Sequence, residues 1–102
     1  MRKLNKEVAD RMPKLYATDG KKEREVQVVF EHVSSRWTWL IVEGELRPDG
    51  DWLLYGYVYS GLGEDCDEWG YVLLSELMSC PEILQFTYKN NPIIDAQGQV
   101  IR

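Results

Sequence analysis

The residues best suited to chemistry in this chain are acidic and aromatic. Glu64, Asp65, Asp67 and Glu68 share one glycine-rich loop, "GLGEDCDE". Oxygen ligands this close together can hold Ca2+ or Mg2+. The loop lacks the ordered D-x-D-x-D-G pattern of an EF-hand, so a solvated acidic rim is the expected role. "GLG" is followed by no Lys-Ser/Thr pair, and its acidic neighbours repel phosphate. Nucleophilic catalysis needs Ser or Cys beside a base. His32 is the sole histidine and is expected at a core edge or on the surface. Cys66 and Cys80 lie fourteen positions apart and form no C-x-x-C pair. A structural zinc site needs about four Cys/His ligands, so two free thiols are expected. These residues predict no metal, no cofactor and no enzymatic activity.

The aromatic residues are more telling. Trp37 and Trp39 flank a threonine in "SSRWTWLIVEGE", and Tyr55, Tyr57 and Tyr59 alternate in "WLLYGYVYS". Period-two alternation marks both stretches as strands, about residues 36–46 and 52–60. Between them "RPDGD" is a hairpin turn, with Pro48 presetting one backbone angle and Gly50 free to adopt a positive φ. Pairing Arg47 with Asp51 sets Glu43 opposite Tyr55, Ile41 opposite Tyr57 and Trp39 opposite Tyr59. One side of the hairpin then carries Trp37, Trp39, Ile41, Glu43, Tyr55, Tyr57 and Tyr59. The other carries Thr38, Leu40, Val42, Leu46, Trp52, Leu54 and Val58. The aliphatic side predicts core. The aromatic side predicts either cross-strand packing or an accessible platform, since Tyr and Trp give large contact area at low entropy cost.

The remaining elements must position this hairpin. Leu4, Val8 and Met12 form an apolar stripe on a helix capped by Asn5 and stopped by Pro13. A strand is expected over 25–33, a fourth in "WGYVLL" and a fifth in "EILQFTYK". "LSELMSC" reads as a helical turn capped by Ser75, and the tail carries turn signals at Asn90-Asn91-Pro92 and Gln97-Gly98. The fold class is α+β: a small antiparallel sheet of four to five strands, a short N-terminal helix and a second helical turn. At 102 residues, residues 1–102 make a single domain.

Charge narrows the partners. The net charge is −5, with eight Lys/Arg against five Asp/Glu in residues 1–25 and four against twelve thereafter. An acidic body suits phosphate backbones poorly. The chain has neither a membrane-length apolar run nor the apolar middle of a signal peptide, which predicts a cytoplasmic protein that does not enter membranes. The oligomeric state is not legible.

Several stretches carry a family resemblance. "LNKEVADRMPKLYATDG" is similar to the opening of the bacterial family termed domain of unknown function 2958. "WTW" resembles its central aromatic motif, with Arg36 where that family has asparagine. "YGYVYSGLGEDCDEWGYVLLSEL" looks like its closing block, onto which Gly56, Glu68, Gly70, Tyr71, Ser75, Glu76 and Leu77 fall. The likeness spans about residues 4–78; the tail after residue 80 departs from it. The family has no established activity, and its members resemble accessory proteins of plasmids, phages and integrative elements. The expectation is a non-enzymatic, protein-binding accessory factor of a mobile element or phage, of the anti-restriction or anti-CRISPR counter-defence type. Its binding surface is expected to comprise Trp37, Trp39, Glu43, Tyr55, Tyr57, Tyr59 and the acidic residues Glu64, Asp65, Asp67 and Glu68. The alternative is a nucleic-acid-binding module that stacks bases on the same aromatic residues.

Overall fold

A computed structural model describes residues 3–60 and 66–102; Glu64 and Asp65 lie outside them. The fold is α+β, and the described residues form two short helices and seven strands in two antiparallel sheets. Helix α1 spans Lys6–Arg11. The Asn5 side chain accepts the Glu7 backbone N–H at 2.9 Å and so caps it. Glu7 in the first turn and Arg11 in the last complement the helix dipole. Leu4 and Val8 turn into the core.

Strand β1 is Arg24–Glu25, β2 Val28–His32, β3 Thr38–Leu46, β4 Trp52–Tyr59 and β5 Glu68–Leu73. Helix α2, Leu74–Met78, leads to β6, Ile83–Phe86, and the tail adds β7, Ile93–Ile94. The main sheet has the order β5-β4-β3-β2-β6. Strands β2 to β5 form a meander, and α2 carries the chain back to lay β6 beside β2.

The stretch expected as one strand over 25–33 divides. Strand β1 pairs with β7 in a separate two-stranded sheet, while β2 joins the main one. At the junction the Val26 N–H donates to the Pro92 carbonyl and the Gln27 N–H to that of Ile41, both at 2.8 Å. Ser75 does not cap α2. Its N–H and hydroxyl both donate to the Asp51 carboxylate, at 3.1 and 2.6 Å. The cap position is Leu73, whose N–H donates to Glu76 at 3.0 Å.

The hairpin turn forms as expected. Gly50 has φ +88°, its N–H donates to the Arg47 carbonyl at 2.9 Å, and Arg47 N–H donates to the Asp51 carbonyl at 2.8 Å. Glu43 faces Tyr55, as the turn dictates. The register then shifts between Ile41 and Glu43, so that Ile41 faces Gly56, Leu40 faces Tyr57, Trp39 faces Val58 and Thr38 faces Tyr59. Val42 is the extra residue of a β-bulge, and one extra residue reverses the facing of everything beyond it. Gly56 makes the bulge possible. A Cβ there would collide with the Leu40 carbonyl.

Two cores result. Beneath the helices lie Leu4, Val8, Val28, Phe30, Ile41, Leu54, Leu74, Leu77 and Ile83, flanked by Trp39 and Trp52. On the opposite face Val26, Val29, Leu40, Val42 and Ile94 pack with Tyr55, Tyr57, Tyr59 and Trp69. Each fully buried large side chain, such as Phe30 or Leu54, contributes roughly 1.5–3 kcal/mol. Among the described residues no helix is long and apolar enough to cross a membrane.

Candidate binding cleft

Glu43 is only 3% exposed. A carboxylate so buried is costly unless hydrogen-bonded. Its two oxygens receive the Tyr16 N–H and the Thr18 N–H, each at 2.8 Å, and the Thr18 hydroxyl. The carboxylate thereby pins the loop between α1 and β1 against the sheet. The neighbouring Gly44 N–H donates to the Pro13 carbonyl at 2.9 Å and adds a second fixing point. Among the described residues no Lys, Arg or His nitrogen lies within 4 Å of Glu43. Its hydrogen bonds are filled while its charge is unpaired.

The pinned loop holds Tyr16 in a left-handed conformation, φ +72°, with its side chain 70% exposed. A bulky residue there carries strain of about 1–3 kcal/mol. Tyr16 and Tyr71 of β5 line the same cleft. The interaction with the Tyr16 side chain and, after it, loss of hydration push the Tyr71 pKa up to about 12. On the sheet, Tyr55 stacks against Trp69 with ring centroids 5.6 Å apart and lies 4.8 Å from Tyr71. The Arg24 guanidinium sits 4.4 Å over the Trp69 ring, a cation–π contact. It is steadied by an Nε–H bond to the Thr18 carbonyl at 3.2 Å.

These groups line a cleft of about 430 Å3, formed by Tyr16, Asp19, Arg24, Glu43, Tyr55, Trp69, Gly70 and Tyr71. Aromatic faces make its walls, two carboxylates against one guanidinium set its charge, and β5 forms one margin. Strand β5 is an edge of the sheet. Among the described residues, its only backbone pairing is with β4.

The single aromatic platform expected from the turn does not exist. The bulge turns Trp39 to the helix side, where it packs against the first core, and Trp37 stacks on it at 5.6 Å while 36% exposed. Tyr55, Tyr57 and Tyr59 occupy the opposite face with Leu40 and Val42. The tail covers part of that row. The Tyr59 hydroxyl donates to the Gly98 carbonyl, the Trp69 indole N–H donates to the Ala96 carbonyl at 2.8 Å, and Gly98 lies against the Tyr57 ring. Asp67 accepts the Ser60 N–H at 2.9 Å and closes the base of the β4–β5 loop. Glu68 is exposed at the start of β5. Of the expected site residues, the cleft gathers only Glu43 and Tyr55. The sequence assigns no binding role to Tyr16, Asp19, Arg24 or Trp69, and marks Tyr71 only through the family resemblance. Alternation puts Trp69 and Tyr71 on one side of β5, but only the folded loop brings Tyr16 and Asp19 to them.

Two other clusters are structural. Ser34 and Ser35 N–H groups donate to His32 Nδ1 at 3.2 and 3.1 Å, and the Ser34 hydroxyl donates to Glu82 at 2.6 Å. The serine proton thus points to a carboxylate and not to the imidazole, so these groups brace a turn. A more apolar depression lies beside Leu4, Trp52 and Met78, with Asp51 at its rim. The Ser75 hydroxyl, bonded to Asp51, holds that carboxyl below its ordinary range. No disulfide joins the two cysteines, of which Cys66 is exposed and Cys80 half-buried. Comparison of the chain with protein-family models, curated proteins and solved structures returned no match.

Proposed function

We propose that this chain is a non-enzymatic protein-binding module that engages its partner through the cleft beside β5. The observation that carries this reading is the set of four aromatic side chains, Tyr16, Tyr55, Trp69 and Tyr71, held around a buried carboxylate at a sheet edge. Rigid aromatics of this kind supply most of the energy at protein interfaces. The left-handed backbone at Tyr16, rare for a bulky residue, supports the same conclusion, because it holds an exposed ring at the cleft beside Tyr71. Asp19 and Glu43 give the cleft two carboxylates against the single guanidinium of Arg24. This favours a protein partner over a phosphate backbone, which would be repelled.

The resemblance of residues 4–78 to the mobile-element family supports a more specific role, that of an accessory factor acting on a host protein in the cytoplasm. A small acidic protein can occupy the nucleic-acid groove of a restriction or CRISPR component, which is how a counter-defence inhibitor would act. The test is affinity capture from a bacterial host lysate, with and without nuclease. The expected partner survives nuclease, is lost with Tyr71→Ala and is retained with Trp37→Ala, which lies on the opposite face. Loss on nuclease treatment would instead support base stacking.

A further inference from the structure

We infer that the free edge of β5 accepts an extended, basic segment of the partner as an added strand, with a lysine or arginine side chain of that segment entering the cleft above Glu43. The inference rests on the protein-binding reading and gives the partner a chemistry.

Three observations converge. First, the outer margin of β5 carries no backbone partner among the described residues, and its sequence, Glu68–Leu73, contains neither lysine nor proline. Edges that must stay unpaired are commonly blunted by such residues, and an unblunted edge is a template for strand addition. Second, this edge strand borders the cleft, with the consecutive residues Trp69, Gly70 and Tyr71 lining it. A Cβ on Gly70 would meet nothing within 4 Å, which leaves room for an incoming chain. Third, the cleft has an unpaired charge. Glu43 is buried without a cation, Asp19 lies beside it, and Arg24 is already engaged by Trp69 and the Thr18 carbonyl. Aromatic faces with a carboxylate at the floor select a cation by quadrupole and Coulomb attraction together. Tyr55 is already stacked on Trp69, which leaves the exposed rings of Tyr16 and Tyr71 for the incoming cation. An acidic segment would face Asp19 and Glu43 with only Arg24 in its favour.

The test is selection of displayed random peptides of about ten residues, long enough for one strand, on the full chain, with counter-selection on Asp19→Asn/Tyr71→Ala. Both substituted residues are exposed, so the variant should fold, as its melting curve will verify. The expected result is enrichment of segments that alternate apolar residues with Lys or Arg. Synthetic versions should shift the amide resonances of β5, and replacing the key Lys by Glu should weaken binding at least about tenfold. N-methylation of alternate backbone nitrogens should abolish binding, because strand addition requires those donors. Enriched peptides without basic residues, peptides that bind away from β5, or no enrichment at all would each overturn the inference. The protein-binding reading fails separately, if lysate capture is unaffected by Tyr71→Ala.

Discussion

Replacing Glu43 by glutamine tests the clamp on which the cleft depends. Three donors converge on two carboxylate oxygens. A glutamine offers one oxygen and turns an NH2 group toward the remaining donor. If the oxygen faces Thr18, two bonds survive but become neutral, losing about 1 kcal/mol each. The Tyr16 N–H is then orphaned against another donor, which costs about 1–3 kcal/mol. In the opposite sense, removing a buried charge that has no counter-ion returns part of its desolvation cost. That return is small here because the three donors already solvate the carboxylate. The net destabilisation is about 3 kcal/mol. With a urea m-value of about 1–3 kcal/mol/M for a domain of this size, the unfolding midpoint should fall by roughly 1–3 M. Thr18→Ala removes only the hydroxyl and should cost about 1 kcal/mol, and the double variant should fall short of the sum. An unmoved midpoint for Glu43→Gln, or strict additivity with Thr18→Ala, would refute the reasoning.

Other outcomes follow from single features. Gly50→Val forces a β-branched residue to φ +88° and should destabilise by roughly 1 kcal/mol or more in the same urea assay. Gly56→Ala places a Cβ against the Leu40 carbonyl and should cost about 3 kcal/mol or prevent folding, since backbone cannot yield as a side-chain tip can; a mild effect would remove the bulge from the explanation of register. In an ultraviolet titration one tyrosine should ionise near pH 12 rather than 10, and Tyr16→Phe should bring it down. Because the raised pKa belongs to the folded state, the stability it contributes is complete below about pH 10 and is lost as pH rises through 12. Trp37→Ala should leave peptide binding at β5 unchanged while weakening the packing on Trp39, read as a modest fall in melting midpoint.

The class of fold was legible because periodicity and turn chemistry are local. Asn5, Pro13 and the Pro48-Asp49-Gly50 turn each act within a few residues, and each places its element as expected. The arrangement of the site was not legible for an equally physical reason. Strand alternation passes one register error to every residue beyond it, and a bulge at Val42 leaves no mark in an unbroken run of β-formers. Gly56 is its sequence trace, but an isolated glycine in a strand signals close backbone approach without saying which partner approaches. Glu43 was readable only in part. Its position opposite Tyr55 came from the turn, whereas its burial depends on a loop whose residues lie 25 and 27 positions away.

The meeting of β1 with β7 has a consequence for the order in which the molecule is made. Arg24, which reaches over Trp69, belongs to a strand whose partner is Ile93–Ile94, and the Trp69 indole is itself tied to Ala96. Contacts between residues this far apart in sequence form late, because loop closure must precede them. A ribosome therefore releases the meander of β2 to β5 well before the segment that steadies the cleft. Through that interval the β5 edge is present while Arg24 and Trp69 lack their tethers. The cleft becomes a finished surface only when β7 docks on β1 and the Ala96 carbonyl meets the Trp69 indole.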